Sequence, residues 1–207
     1  MIPDGSRFCP TCGHAVASRS SEERRIVTVL FADLVGFTTL AEFMDPEQAK
    51  RLIDSCFHRL VSDITSFGGR VDKILGDGIL ALFGAPIAHE DDPERAVRAG
   101  LRMQESLADT MAVSTSRHAP EIRMRVGINT GQALVGNIGS ERMRNYTAIG
   151  DTTNLAARLQ AMAPTGSVVV SAATLALLPA GARTAPLGLL PVKGRAEPVA
   201  AFVLQDH

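Results

Sequence analysis

The sequence predicts an α/β domain of the α+β kind, a ferredoxin-like βαββαβ core with C-terminal extensions. Three observations predict it. The run Val27, Val29, Leu30 and Phe31 is short, β-branched and bounded by polar residues, as a buried strand should be. Residues 70–84, RVDKILGDGILALFG, form two apolar runs around Gly76-Asp77-Gly78, a strong hairpin signal. Segments with apolar residues at helical spacing separate these strands, so helix and strand alternate along the chain.

The elements follow in order. A strand at 26–32 leads to a short helix at 37–43 and a long helix from Pro46 to about Phe67. Asp45 suits the cap of that helix and Pro46 its first turn. Ala49, Leu52, Ile53, Cys56, Phe57, Leu60 and Ile64 form its apolar face, which places Cys56 in the core. After the 70–84 hairpin, Glu90-Asp91-Asp92 precedes a helix, where negative charge favours the dipole; the cluster reads as a cap and not a metal site. The helix runs from about Pro93 to Met111 and carries Val97, Leu101, Gln104 and Leu107. Residues 112–120 read as a loop. Strands at 121–130, 132–138 and 143–149 follow, with Gly127 and Gly131 of VGINTG marking a strand end and a turn. A helix at 152–163 with Asp151 as N-cap, a strand near 167–170 and a hairpin around Lys193-Gly194 complete the domain.

With 207 residues, 45% hydrophobic content and net charge −1, the chain can bury one sizeable core. No basic excess points to nucleic acid or to an anionic membrane surface. No apolar run approaches the ~20 residues of a membrane span, and the N-terminus lacks a signal-peptide core. A cytoplasmic location is the resulting expectation. Two units are expected: residues 1–24, a partial zinc-ribbon-like segment and linker, and residues 25–207, the main domain. Cys9 and Cys12, in FCPTCGH, have the spacing of one zinc knuckle, but a structural Zn²⁺ needs four ligands and His14 is the only nearby addition. His58, His89 and His118 sit among polar neighbours without ligand spacing and read as surface residues.

The chemistry concentrates at the ends of the first strands. Asp33 closes the strand at 26–32, in position to bind a hard cation. The Gly36 turn and the helix start after it offer backbone N–H groups and a positive dipole to an anion. The hairpin turn places Asp77 at the start of its second strand. With that strand antiparallel to Val27–Ala32, Asp33 and Asp77 meet at one edge of the sheet. Two carboxylates there repel unless a cation lies between them. Two divalent ions about 3.5–4 Å apart are a recurring device for in-line displacement at phosphorus. Each aspartate also has a plainer reading, as a turn or cap residue. Further on, Asn154 and Arg158 lie four residues apart on one helix face. An amide and a guanidinium aimed at one site can hold a ribose and stabilise charge on a reacting phosphate; the plainer reading is a surface pair.

FADLVGFT, then KILGDG, GINTG and NYTAIGDTTNLAARL, taken together in this order, resemble the catalytic domain of class III nucleotidyl cyclases, the adenylate and guanylate cyclases. The resemblance runs from about Arg25 to about Leu204. It implies the class III cyclase homology domain fold and a head-to-tail dimer. The implied reaction converts a nucleoside triphosphate to a 3′,5′-cyclic monophosphate and pyrophosphate.

By that resemblance, Asp33 and Asp77, with the Leu34 backbone carbonyl, hold two Mg²⁺ or Mn²⁺ ions, and the Gly36, Phe37, Thr38 turn holds phosphate. Asn154 orients the ribose and Arg158 stabilises the transition state. Lys193, in PVKGR, matches the family's phosphate-binding lysine. Lys73 and Thr147 occupy the purine-reading positions, and guanylate cyclases carry an acidic residue where this chain has Lys73. A lysine donor suits N1 of adenine, an acceptor, and leaves the N1 donor of guanine unmatched, at a cost of about 1–3 kcal/mol. ATP is the expected substrate. Thr147 resembles a subgroup with a small hydroxyl residue at this position, some members of which respond to bicarbonate. Metal ligands from one protomer and the remaining residues from the other imply two equivalent sites in a homodimer. The alternatives are a guanylate or relaxed-specificity cyclase, or a catalytically silent nucleotide-binding or regulatory domain on the same fold.

Overall fold

The computed structural model of the chain describes residues 22–114, 122–140, 143–191 and 198–205. Cys9, Cys12, His14, His118 and Lys193 lie outside the described residues.

The element order is β1 (Glu23–Val35), α1 (Phe37–Glu42), α2 (Pro46–Ser66), β2 (Arg70–Leu75), β3 (Gly78–Phe83), α3 (Asp92–Ser114), β4 (Arg123–Ser140) and β5 (Met143–Ile149). Then come α4 (Asp151–Met162), β6 (Val168–Ser171), α5 (Ala172–Leu175), β7 (Thr184–Leu190) and β8 (Val199–Leu204). The strands form one sheet in the order β2-β3-β1-β4-β6-β8-β7, with β5 paired to β4 off that path. β3 and β4 flank β1, both antiparallel, and β2 is antiparallel to β3. β1 and β2 therefore run the same way with β3 between them, the split βαβ arrangement of the expected core.

Alternation along β1 sorts its side chains onto two buried faces. Leu30, Ala32 and Leu34 join Leu52, Cys56, Leu60 and Ile64 of α2 and Met103 and Leu107 of α3 in the larger core cluster. Val27 and Val29 join Leu80 and Leu82 of β3, Ala133 and Val135 of β4, Ala148 of β5 and Ala156 of α4. This second layer explains why the β1 run is continuous and not alternating: both faces are covered. Asp45 caps α2 as expected, its Oδ1 accepting the Glu47 N–H at 2.9 Å, and Cys56 is buried in the core.

Three expectations need correction. The strands expected at 121–130 and 132–138 are one strand, β4, which pairs with β1 from Arg123 through Val135. Gly127 and Gly131 are internal to it and mark neither an end nor a turn. A Cβ on Gly127 would lie 2.1 Å from the Gln160 nitrogen and 2.5 Å from the Ala156 oxygen, so the missing side chain lets α4 pack directly on the strand. The N-cap of α4 is Gly150, and Asp151 is the first helical residue, where its charge still faces the positive end of the helix. Asp77 sits within the hairpin turn and β3 begins at Gly78, because the turn uses Gly76 at φ +66°.

Candidate active site

The β1–β3 register sets Asp33 opposite Gly78, next to Asp77, and the Leu34 N–H donates to the Asp77 carbonyl at 3.1 Å. The hairpin turn is thereby stitched to the end of β1, and the two aspartates meet at one sheet edge. Asp33 Oδ2 accepts from Arg125 Nη2 at 3.0 Å and from Gln160 Nε2 at 3.3 Å. Its other oxygen faces Gly78, where an added Cβ would lie 3.8 Å from Oδ1. Among the described residues, no group of three or more His, Cys, Asp or Glu is arranged to hold a metal ion. A pair of carboxylates with a main-chain carbonyl is a hard-oxygen set of the kind that completes a Mg²⁺ shell with water and phosphate oxygens. In its chemistry this oxygen set suits the divalent ions that the resemblance to the cyclases implies.

Beyond Asp33, Gly36 adopts φ +92° and starts α1 with no side-chain cap, so among the described residues the first N–H groups of the helix have no capping side chain. Only a glycine takes that backbone conformation without strain. Phe37 is half-buried and Thr38 exposed.

Lys73 and Thr147, the two positions expected to read the purine, are in contact. Lys73 Nζ donates to Thr147 Oγ1 at 3.1 Å, joining β2 to β5 although these strands are not neighbours in the sheet. Arg70 stacks over Tyr146 with its guanidinium carbon 4.6 Å from the ring centroid and fixes the same crossing. Thr147 is buried, and the Lys73 side chain keeps 38% of its exposure, enough to meet a ligand. Asp72, not singled out by the sequence, completes the group: its Oδ2 accepts the Thr147 hydroxyl and lies 3.4 Å from Lys73 Nζ.

Asn154 and Arg158 share one face of α4, with Asn154 exposed and Arg158 Nη1 3.4 Å from the Pro191 carbonyl. That contact ties the helix to the end of β7, where the segment bearing Lys193 begins. Gln160, which touches Asp33, lies about 200° around the helix from Arg158. Asn154 and Arg158 therefore point away from the aspartates of their own chain. Among the described residues, no hydrogen bond or ion pair joins the two sets.

Arg125 was missed by sequence reasoning. Its signal is the alternation in β4: Met124, Val126 and Ile128 are buried, which turns Arg125 to the face of Asp33, its register partner.

Residues 19–206 match the family model for the adenylate and guanylate cyclase catalytic domain. The chain belongs to that family of nucleotidyl cyclases. It is 34% identical over 174 residues to adenylate cyclase 1 of Rhizobium meliloti, a match covering 83% of this chain and 26% of the relative. It spans about a quarter of the length of the curated relatives it matches. The fold matches the crystal structure of the adenylyl cyclase CyaB from P. aeruginosa with a TM-score of 0.84 and 30% identity, covering 90% of this chain and 97% of that one. It also matches the guanylyl cyclase Cya2 with a TM-score of 0.79 and 37% identity, over 88% and 93% of the two chains. No helix among the described residues is long and apolar enough to cross a membrane.

Proposed function

We propose that the chain is an adenylate cyclase domain that converts ATP to 3′,5′-cyclic AMP and pyrophosphate at sites shared across a head-to-tail homodimer. The observation that carries the choice of substrate is the Lys73–Thr147 contact at 3.1 Å. It sets an ammonium donor beside a hydroxyl, a pair that suits the N1 acceptor and the exocyclic amine of adenine.

Asp33, Asp77 and the Leu34 carbonyl would hold two Mg²⁺ or Mn²⁺ ions. When bound, the ions supply Lewis acidity at the ribose 3′-hydroxyl and neutralise charge on the triphosphate. The N–H groups of the Gly36–Thr38 turn and the Lys193 ammonium take the phosphates. Lys73 and Thr147 hold the base, Asn154 orients the ribose, and Arg158 stabilises negative charge on the α-phosphoryl group as the 3′-oxygen attacks. The phosphorus–oxygen bond to pyrophosphate breaks as the new one forms, and the 3′-hydroxyl proton leaves to solvent. The opposed faces of α4 support the shared site, because a second copy can bring its Asn154 and Arg158 to the aspartates of the first.

The 37% identity to a guanylyl cyclase favours a second reading, a guanylate or relaxed-specificity enzyme. Chromatography of products after incubation with ATP or GTP and Mn²⁺ decides between them. Cyclic AMP as the main product supports the first reading; cyclic GMP from GTP at equal or greater yield supports the second; no cyclic product favours a silent binding domain. Turnover with added bicarbonate, at fixed pH and ionic strength, tests regulation by that anion, and a flat response rejects it.

A further inference from the structure

Asp72 occupies an irregular position in β2. Val71 pairs with Ala81 and Lys73 with Leu80, so Asp72 is the extra residue of a β-bulge with no cross-strand partner. In a regular strand, adjacent side chains point to opposite faces. The bulge turns both Asp72 and Lys73 towards Thr147. The Asp72 side chain is 1% exposed, and its Oδ1 is buried without a hydrogen-bond partner among the described residues. Among the described residues, its hydrogen bonding is therefore directed at Thr147 and Lys73 through Oδ2.

Hydrogen-bond accounting then fixes what Thr147 can offer. A hydroxyl has one hydrogen to donate and two lone pairs to accept. The Thr147 hydrogen goes to Asp72 Oδ2, and one lone pair accepts from Lys73 Nζ. What remains is an acceptor. A carboxylate cannot donate, so Asp72 prevents the hydroxyl from turning its hydrogen outward. The base site thus presents donors from Lys73 and an acceptor from Thr147. Adenine, with an acceptor at N1 and a donor at its amine, matches both; guanine, with a donor at N1 and an acceptor at O6, opposes both.

We propose that Asp72 is a specificity-determining positioning residue, which holds the Thr147 hydroxyl as an acceptor and so sets the site for adenine over guanine. The proposal rests on the adenylate reading above. It acts through rejection of guanine as much as through attraction of adenine.

The test is calorimetric binding of 3′-deoxy-ATP and 3′-deoxy-GTP with Mn²⁺, since neither analogue has the hydroxyl needed for turnover. Wild type should bind the adenine analogue more tightly. Asp72→Asn offers an N–H donor to the Thr147 oxygen and releases its hydrogen, and should narrow the ratio of the two dissociation constants about tenfold. In a Thr147→Val background, adding Asp72→Asn should leave the ratio where Thr147→Val put it. A residue that only supports the fold would weaken both analogues alike and leave the ratio intact. An unchanged ratio in a folded Asp72→Asn protein overturns the proposal, as does a further change of ratio in the Thr147→Val background. Should Asp72→Asn not fold, Asp72→Ser, which also carries a donor, is measured in the same way. Failure of the adenylate reading shows separately, as wild type that prefers the guanine analogue or binds neither.

Discussion

Arg125 and Asp33 are register partners on adjacent strands, and the Arg125 Nη2 donates to the Asp33 carboxylate at 3.0 Å. The guanidinium occupies Oδ2, one of the two oxygens a cation at Asp33 would draw on, while its own Nε is buried without a hydrogen-bond partner among the described residues. Arg125 also reaches the Ala161 carbonyl at the end of α4, 3.5 Å away. It therefore links the strand end, the aspartate and the helix that carries Asn154 and Arg158.

Arg125 should compete with a cation for Asp33. Charge-assisted hydrogen bonds contribute about 1.5–3 kcal/mol. Arg125→Ala should tighten binding of Mn²⁺ alone by about tenfold or more, read as loss of free Mn²⁺ signal in electron paramagnetic resonance. Equal or weaker binding would show that Arg125 does not occupy the cation position.

Gly127→Ala should destabilise the domain. The new methyl would overlap the Gln160 nitrogen and Ala156 oxygen, which are backbone atoms of α4 and cannot rotate away. Overpacking of this kind costs about 3 kcal/mol, or roughly 6–12 °C in the melting temperature of a chain this size. Gly76→Ala meets no atom of the described residues within 4 Å and bears only the strain of its φ of +66°, so it should cost less. Thermal unfolding of both variants checks the ranking.

Cys56 should be inert in the native protein. Burial pushes its thiol up to about 11, so very little thiolate exists at pH 8, and the side chain is only 1% exposed. Mass spectrometry after alkylation at pH 8 should find the Cys56 peptide unmodified without denaturant and fully modified with it. Rapid native labelling would place Cys56 outside the core.

Specific activity should rise with protein concentration, because a lone protomer holds Asn154 and Arg158 away from its own aspartates. Constant specific activity on dilution far below the dimer dissociation constant would show that one chain suffices.

Strand and helix order was legible because apolar periodicity reports burial, and the meeting of Asp33 and Asp77 followed from one hairpin and one antiparallel pairing. Gly127 and Gly131 were misread because a glycine needed for a close helix–strand approach looks like a turn glycine until the helix is in place. Asp151 was misread as a cap because Gly150 already fills that role. Asp72 and Arg125 were missed for a shared reason: each acquires its meaning from a cross-strand partner, Thr147 or Asp33, distant in the chain. The bulge that turns Asp72 towards Thr147 has no signature in VDKIL.

In the proposed homodimer each active site takes Asp33 from one copy and Arg158 from the other, an arrangement that mixing inactive variants tests. Asp33→Ala and Arg158→Ala, each alone, should yield little cyclic AMP from ATP. Mixed in equal amounts and allowed to exchange, half the dimers would pair the two variants, and each such dimer carries one intact site. Activity should return to about a quarter of wild type. A mixture no more active than its separate components, with exchange verified, would contradict the shared site.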